Sequence, residues 1–139
     1  MKSRYLYGFI AGFLATLVFH QLALSGLLQL GIAPFAPFSM KATWPLGVPA
    51  MFSLAFWGGV WGIVFILIHR TFPKGVNYWW AAFLFGALAP TLVALLVVIP
   101  LKGGAIGGGW HWKLLITALL INGAWGVGTG LIYKMLGRK

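Results

Sequence analysis

His20, Thr91 and Asn122 are the side chains whose type and position could do chemistry. His20 stands within the apolar run 5–30, between Phe19 and Gln21. A neutral imidazole in such a run can ligate a haem iron or a chlorophyll magnesium, or relay a proton. Bis-histidine haem needs a second imidazole at the same depth, and His69 and His111 fall at the edges of their apolar runs. An autonomous haem or chlorophyll site on His20 is therefore disfavoured, and no cofactor or metal is expected. At a rise of about 1.5 Å per residue, His20, Thr91 and Asn122 all fall within a turn of the same mid-membrane level. One imidazole, one hydroxyl and one amide at one depth form either a binding layer or an interhelical hydrogen-bond clamp. The clamp is favoured, because buried polar groups need partners whatever the function. Gln21, one residue on, is expected to point about 100° away from the His20 contact. With Gln29 it would mark a face that meets another chain.

Absences exclude more than motifs assign. The chain has no Asp, Glu or Cys, while Lys and Arg total 10. Paired-carboxylate hydrolysis, carboxylate-ligated calcium or magnesium, carboxylate proton relays, thiol nucleophiles and disulfides all need side chains that are missing. A net charge of +10 is compatible with a nucleic-acid partner. The basic residues, however, stand singly at the edges of apolar runs, as in membrane proteins, so nucleic acid is disfavoured.

With 61% hydrophobic and 7% charged residues, the chain reads as an all-α integral membrane domain over residues 1–139. Four transmembrane helices are expected, at about 5–30, 50–69, 78–99 and 112–136. The first resembles a signal peptide at its start, with Ala23 and Ser25 imitating a cleavage site, but its apolar run continues through Leu30 and is read as retained. Residues 31–49 hold Pro34, Pro37, Pro45 and Pro49 and are expected along the membrane surface, as a re-entrant or capping piece. Pro90 is expected to kink the third helix. Lys2, Arg4, Arg70, Lys74, Lys134, Arg138 and Lys139 gather at one end, against Lys41, Lys102 and Lys113 at the other. That asymmetry predicts both termini in the cytoplasm and a bacterial inner-membrane location.

Glycines at a spacing of four let helix backbones approach. Gly8/Gly12, Gly58/Gly62 and Gly126/Gly130 are such pairs, and helices one, two and four are expected to pack through them. Loop Gly104 is expected to tolerate substitution. Shifting the second helix by 64 residues lays Gly59, Trp61 and Gly62 on Gly123, Trp125 and Gly126. Gly12 likewise falls on Gly86, and Thr16 on Thr91 if Pro90 is an insertion. The two hairpins are either copies in a parallel internal repeat or a chance alignment of residues common in membrane helices.

The Phe19-His20-Gln21 triplet and the run Pro45 to Gly59 resemble small uncharacterised bacterial multi-pass membrane proteins. The resemblance covers the first half best and implies no activity. At the outer rim, Trp110, His111, Trp112 and Lys113, with Lys41 and Trp44, read as interface anchors or as contacts for an anionic or lipid group. Three function classes follow. The favoured one is a small accessory or scaffold subunit, with lipid and other membrane subunits or further copies of itself as partners, packing through its glycine-rich faces. A small oligomeric transporter or channel for a neutral or anionic solute is the alternative. An enzyme has least support, since no nucleophile–base–orienter set is visible.

Overall fold

The computed structural model describes residues 2–137; Arg138 and Lys139, counted above toward the basic end, lie outside them. Four helices dominate: α1 (Lys2–Gln29), α2 (Ala50–Thr71), α3 (Val76–Leu101) and α4 (Trp112–Leu136). Each is long and apolar enough to cross a membrane. They form two antiparallel hairpins, α1–α2 and α3–α4, joined by a short basic turn. Gly75, at φ 69°, ends that turn and lets α3 begin at Val76, ahead of its expected start.

Two of the helices are irregular, where only α3 was expected to be. Pro90 lies inside α3 without ending it, and a π-helical turn follows at Ala94–Val98. α1 carries its own π turn at Thr16–His20, with no proline to announce it. A π turn accommodates one extra residue and rotates the side chains beyond it.

Within each hairpin the helices touch backbone to backbone. A methyl group added at Gly12 would lie 2.9 Å from the Cα of Gly62, and closer still to the Gly58 carbonyl. One added at Gly62 would lie 3.0 Å from the Cα of Gly12 and press on the Gly8 carbonyl. The second hairpin repeats this geometry around Gly86, not Gly130. A methyl at Gly86 would lie 2.9 Å from the Cα of Gly126 and press on the Asn122 carbonyl. Phe9 covers Gly59 in one hairpin, and Phe83 covers Gly123 in the other. Gly130 faces the rings of Tyr78 and Phe65 instead of a helix backbone. Gly104 is not inert, since a methyl there would meet Ile99 at 2.6 Å.

The hairpins join along α1 and α4. Trp125 is buried there and donates its indole N–H to the Gly12 carbonyl at 3.0 Å. That oxygen also accepts the Thr16 hydroxyl at 2.9 Å. α2 and α3, by contrast, meet through aromatic side chains: Phe85 packs against Trp61 and Phe65. The main core is Ala15, Phe65, Ile66, Ala82 and Trp125.

The connector 31–49 does not simply run along the surface. α2 starts only eight residues before Gly58, which abuts Thr16 of α1, whereas α1 continues to Gln29. The chain must therefore descend beside α1 to start α2. It does so as a small antiparallel ladder, Ala42 opposite Pro49 and Thr43 opposite Val48. The first α2 amides bond back into it, Ala50 to the Lys41 carbonyl at 2.8 Å and Met51 to the Ser39 carbonyl at 2.9 Å. Those bonds satisfy donors that a helix N-terminus leaves unpaired.

Candidate functional site

His20, Thr91 and Asn122 meet where the two hairpins join, on α1, α3 and α4 respectively. Gln21 joins them, which corrects the expectation drawn from ideal helical spacing. Its side chain is turned into the bundle, 2% exposed. It bends back to its neighbour, with Nε2 3.0 Å from Nδ1 of His20. Its oxygen accepts the Phe38 backbone N–H at 2.7 Å. Adjacent helical side chains diverge, but a long amide beside a π turn can close on the ring next to it. Gln29 remains exposed near the end of α1.

The donors can be assigned in order from one fixed point. A backbone N–H only donates, so the Gln21 oxygen must face Phe38 and its NH₂ must face His20. His20 Nδ1 is then an acceptor, and the ring proton sits on Nε2. Asn122 stands within side-chain hydrogen-bond reach of that ring. Its Nδ2 donates to the Thr91 hydroxyl at 2.8 Å, so its oxygen is free to accept from Nε2–H. Thr91 in turn donates to the Ala118 carbonyl at 3.3 Å. The bonds run the same way on both sides, from the connector into α1 and from α4 to α3 and back to α4, with His20 and Asn122 facing each other between them. Such chains polarise one another in a low-dielectric interior.

Chemically, this arrangement holds a neutral imidazole whose Nδ1 is engaged by Gln21, with the Asn122 amide close by. The Nδ1 lone pair, which a metal or a transferred proton would use, already accepts from Gln21. The connector is tied into the same chain through Phe38. That residue adopts a left-handed backbone, φ 54°, unusual for a residue with a side chain. Gln21 lies eight residues before the end of α1, so the tie sits about 12 Å below that end.

The rim residues share the connector end without converging on one point. Lys113 donates to the Gly31 carbonyl at 3.2 Å and lies 5.7 Å from the Trp112 ring centre. Trp110 folds over Gly107. Trp44, 86% exposed, borders an open surface hollow of about 460 Å³ with Thr43, Leu101 and Lys102. Lys41 and His111 are exposed. A second open hollow, about 300 Å³, lies at the other end against Val76, Trp79, Trp80, Phe83 and Val127. Neither hollow is lined by a member of the His20 chain.

Sequence reasoning missed Gln21 as a chain member and Gly86 as a contact. Phe38 carried no signal at all, since its role is a backbone N–H. The Gly86 contact was within reach, because the register that laid Gly12 on Gly86 also laid Gly62 on Gly126. The chain matches no known family model, no curated protein and no solved structure.

Proposed function

We propose that the chain is a multi-pass protein of the bacterial inner membrane, with both termini cytoplasmic, and that it serves as a small accessory or scaffold subunit of a larger membrane assembly. The observation that carries this reading is the His20 chain. Its members pair with one another across α1, α3 and α4, as in a clamp that fixes two hairpins together; the buried Thr117 hydroxyl, beside Ala118, stays outside the chain without a partner. The glycine faces enter the proposal in altered form. Gly8, Gly12, Gly58, Gly62 and Gly126 are spent on contacts within the chain, so docking falls to the outer apolar and aromatic surface.

The two hairpins are proposed to be copies in a parallel repeat. Equivalent glycine contacts, the Phe9/Phe83 pair and a π turn in α1 and in α3 support this. The subunit reading is tested by native mass spectrometry after extraction in mild detergent. A fixed stoichiometry with one defined membrane partner is expected. A chain that is recovered without partner and moves a solute in reconstituted vesicles would overturn it.

A further inference from the structure

At the end that carries the termini, all four helices bring cationic or aromatic groups to one place. His69 sits at the end of α2, its ring 5.1 Å from that of Tyr133, with the Tyr78 hydroxyl 3.4 Å from its Nδ1. Gly8 of α1 packs on Ile66 of α2, which brings Arg4, one turn earlier, to the level of His69 and Arg70, while Lys134 of α4 lies on the same Tyr78 that reaches His69. Like charges gathered this way repel, and the chain has no acidic side chain to offset them. Lys134 is instead held against aromatic faces of α3, its ammonium 3.6 Å from the Tyr78 ring centre and 4.8 Å from that of Trp79. Cation–π attraction steers an ammonium without neutralising it. Arg4 spends one Nη on the Tyr5 hydroxyl at 2.9 Å, while its Nε is buried with no acceptor. A buried, charged donor left unpaired is costly.

We propose that Arg4, His69, Arg70 and Lys134 form a binding site for a phosphate group, supplied by the headgroup of an anionic phospholipid. A guanidinium fork suits phosphate oxygens, and a lysine ammonium adds a compact charge beside it. The aromatic residues Tyr78, Trp79 and Trp80 open α3 at the same end, the composition found at headgroup level. That makes lipid, not soluble phosphate, the source. Basic pockets between helix ends on the cytoplasmic side bind such headgroups. The proposal rests on the membrane reading above, which topology reporters test separately.

The experiment measures thermal unfolding of the purified full chain in neutral detergent with added phosphatidylglycerol, phosphatidylcholine or inorganic phosphate. Phosphatidylglycerol is expected to raise the Tm saturably, and the other two are not. Lys134→Gln, at an exposed position, should fold normally and weaken the phosphatidylglycerol response by about tenfold in concentration, which corresponds to about 1.4 kcal/mol. Arg4→Gln should do the same, while Lys102→Gln, at the other end, should respond as wild type. Equal responses to the two lipids, or an unchanged response in Lys134→Gln, would overturn the site. An equal effect of inorganic phosphate would overturn lipid as the source.

Discussion

Gly12→Ala and Gly26→Ala add the same methyl group to the same helix, and the structure gives them opposite signs. At Gly26 no atom lies within 4 Å of an added Cβ. That change keeps only the gain from restricting the unfolded backbone, about 0.5–1 kcal/mol in a helix interior. At Gly12 the methyl meets the Gly58 carbonyl and the Gly62 Cα, the latter at 2.9 Å. Both obstacles are main chain of α2, and neither can swing aside. Carbon contacts are comfortable at about 3.5–4.0 Å, so α2 must withdraw by roughly 1 Å along its contact with α1. Overpacking costs about 1–3 kcal/mol, and a backbone obstacle places this case in the upper half of that range. Subtracting the helix gain leaves a net loss of about 1–2.5 kcal/mol for Gly12→Ala. Unfolding in mixed micelles, followed by far-UV circular dichroism, measures both variants against wild type. If Gly12→Ala matches or exceeds wild type, or if both variants shift the same way, the close backbone approach is not what holds the hairpin.

Reporter fusions after Gly31 and after Lys139 should give opposite readings; equal readings would refute the membrane topology. Gln21→Leu should free the Phe38 amide and loosen the connector, read as faster limited proteolysis within 31–49, while the four helices persist. His20→Leu should cost well under about 1 kcal/mol if the chain is a clamp, since membrane hydrogen bonds average about 0.6 kcal/mol. A loss of several kcal/mol in the same micelle assay would show that the chain acts as more than a sum of pairs.

The helices were legible because length and apolarity alone announce them: four uninterrupted runs, with prolines and basic residues between. The mid-level grouping of His20, Thr91 and Asn122 was legible for a similar reason, as depth follows from counting residues. Rotation about the helix axis was not legible. A π turn at Thr16–His20 leaves no mark in composition, and it falls where the placement of Gln21 was decided on ideal geometry. The descent of the connector could have been derived. Aligning Gly58 with Gly12 already leaves α1 about two and a half turns longer than α2 at that end, so residues 31–49 had to drop. Arg4 was counted only toward orientation, because its buried Nε depends on where α2 and α4 end relative to α1.

The repeat reading also accounts for why the polar chain exists on one side only. With Thr16 laid on Thr91, His20 falls on Leu95; with Gly62 laid on Gly126, Gly58 falls on Asn122. The pseudo-twofold partner of the His20–Asn122 contact would be Leu95 against Gly58, which offers no side-chain donor or acceptor. His20 and Asn122 belong to α1 and α4, the pair that closes around Trp125 and the Gly12 carbonyl. Leu95 and Gly58 belong to α3 and α2, the pair spaced by Trp61, Phe65 and Phe85. If the hairpins are copies related by an axis along the membrane normal, as proposed, they have two equivalent seams. A polar chain in one of them favours close approach there, since unpaired groups at that depth cost more than lost apolar contact. The other seam, with no such pair at the level of Leu95 and Gly58, accommodates bulky aromatics. On the repeat proposal, the polar chain adds to the Trp125–Gly12 bond in favouring the α1–α4 seam, and exchanging Asn122 for glycine should weaken that preference, read as a lower unfolding midpoint in the micelle assay.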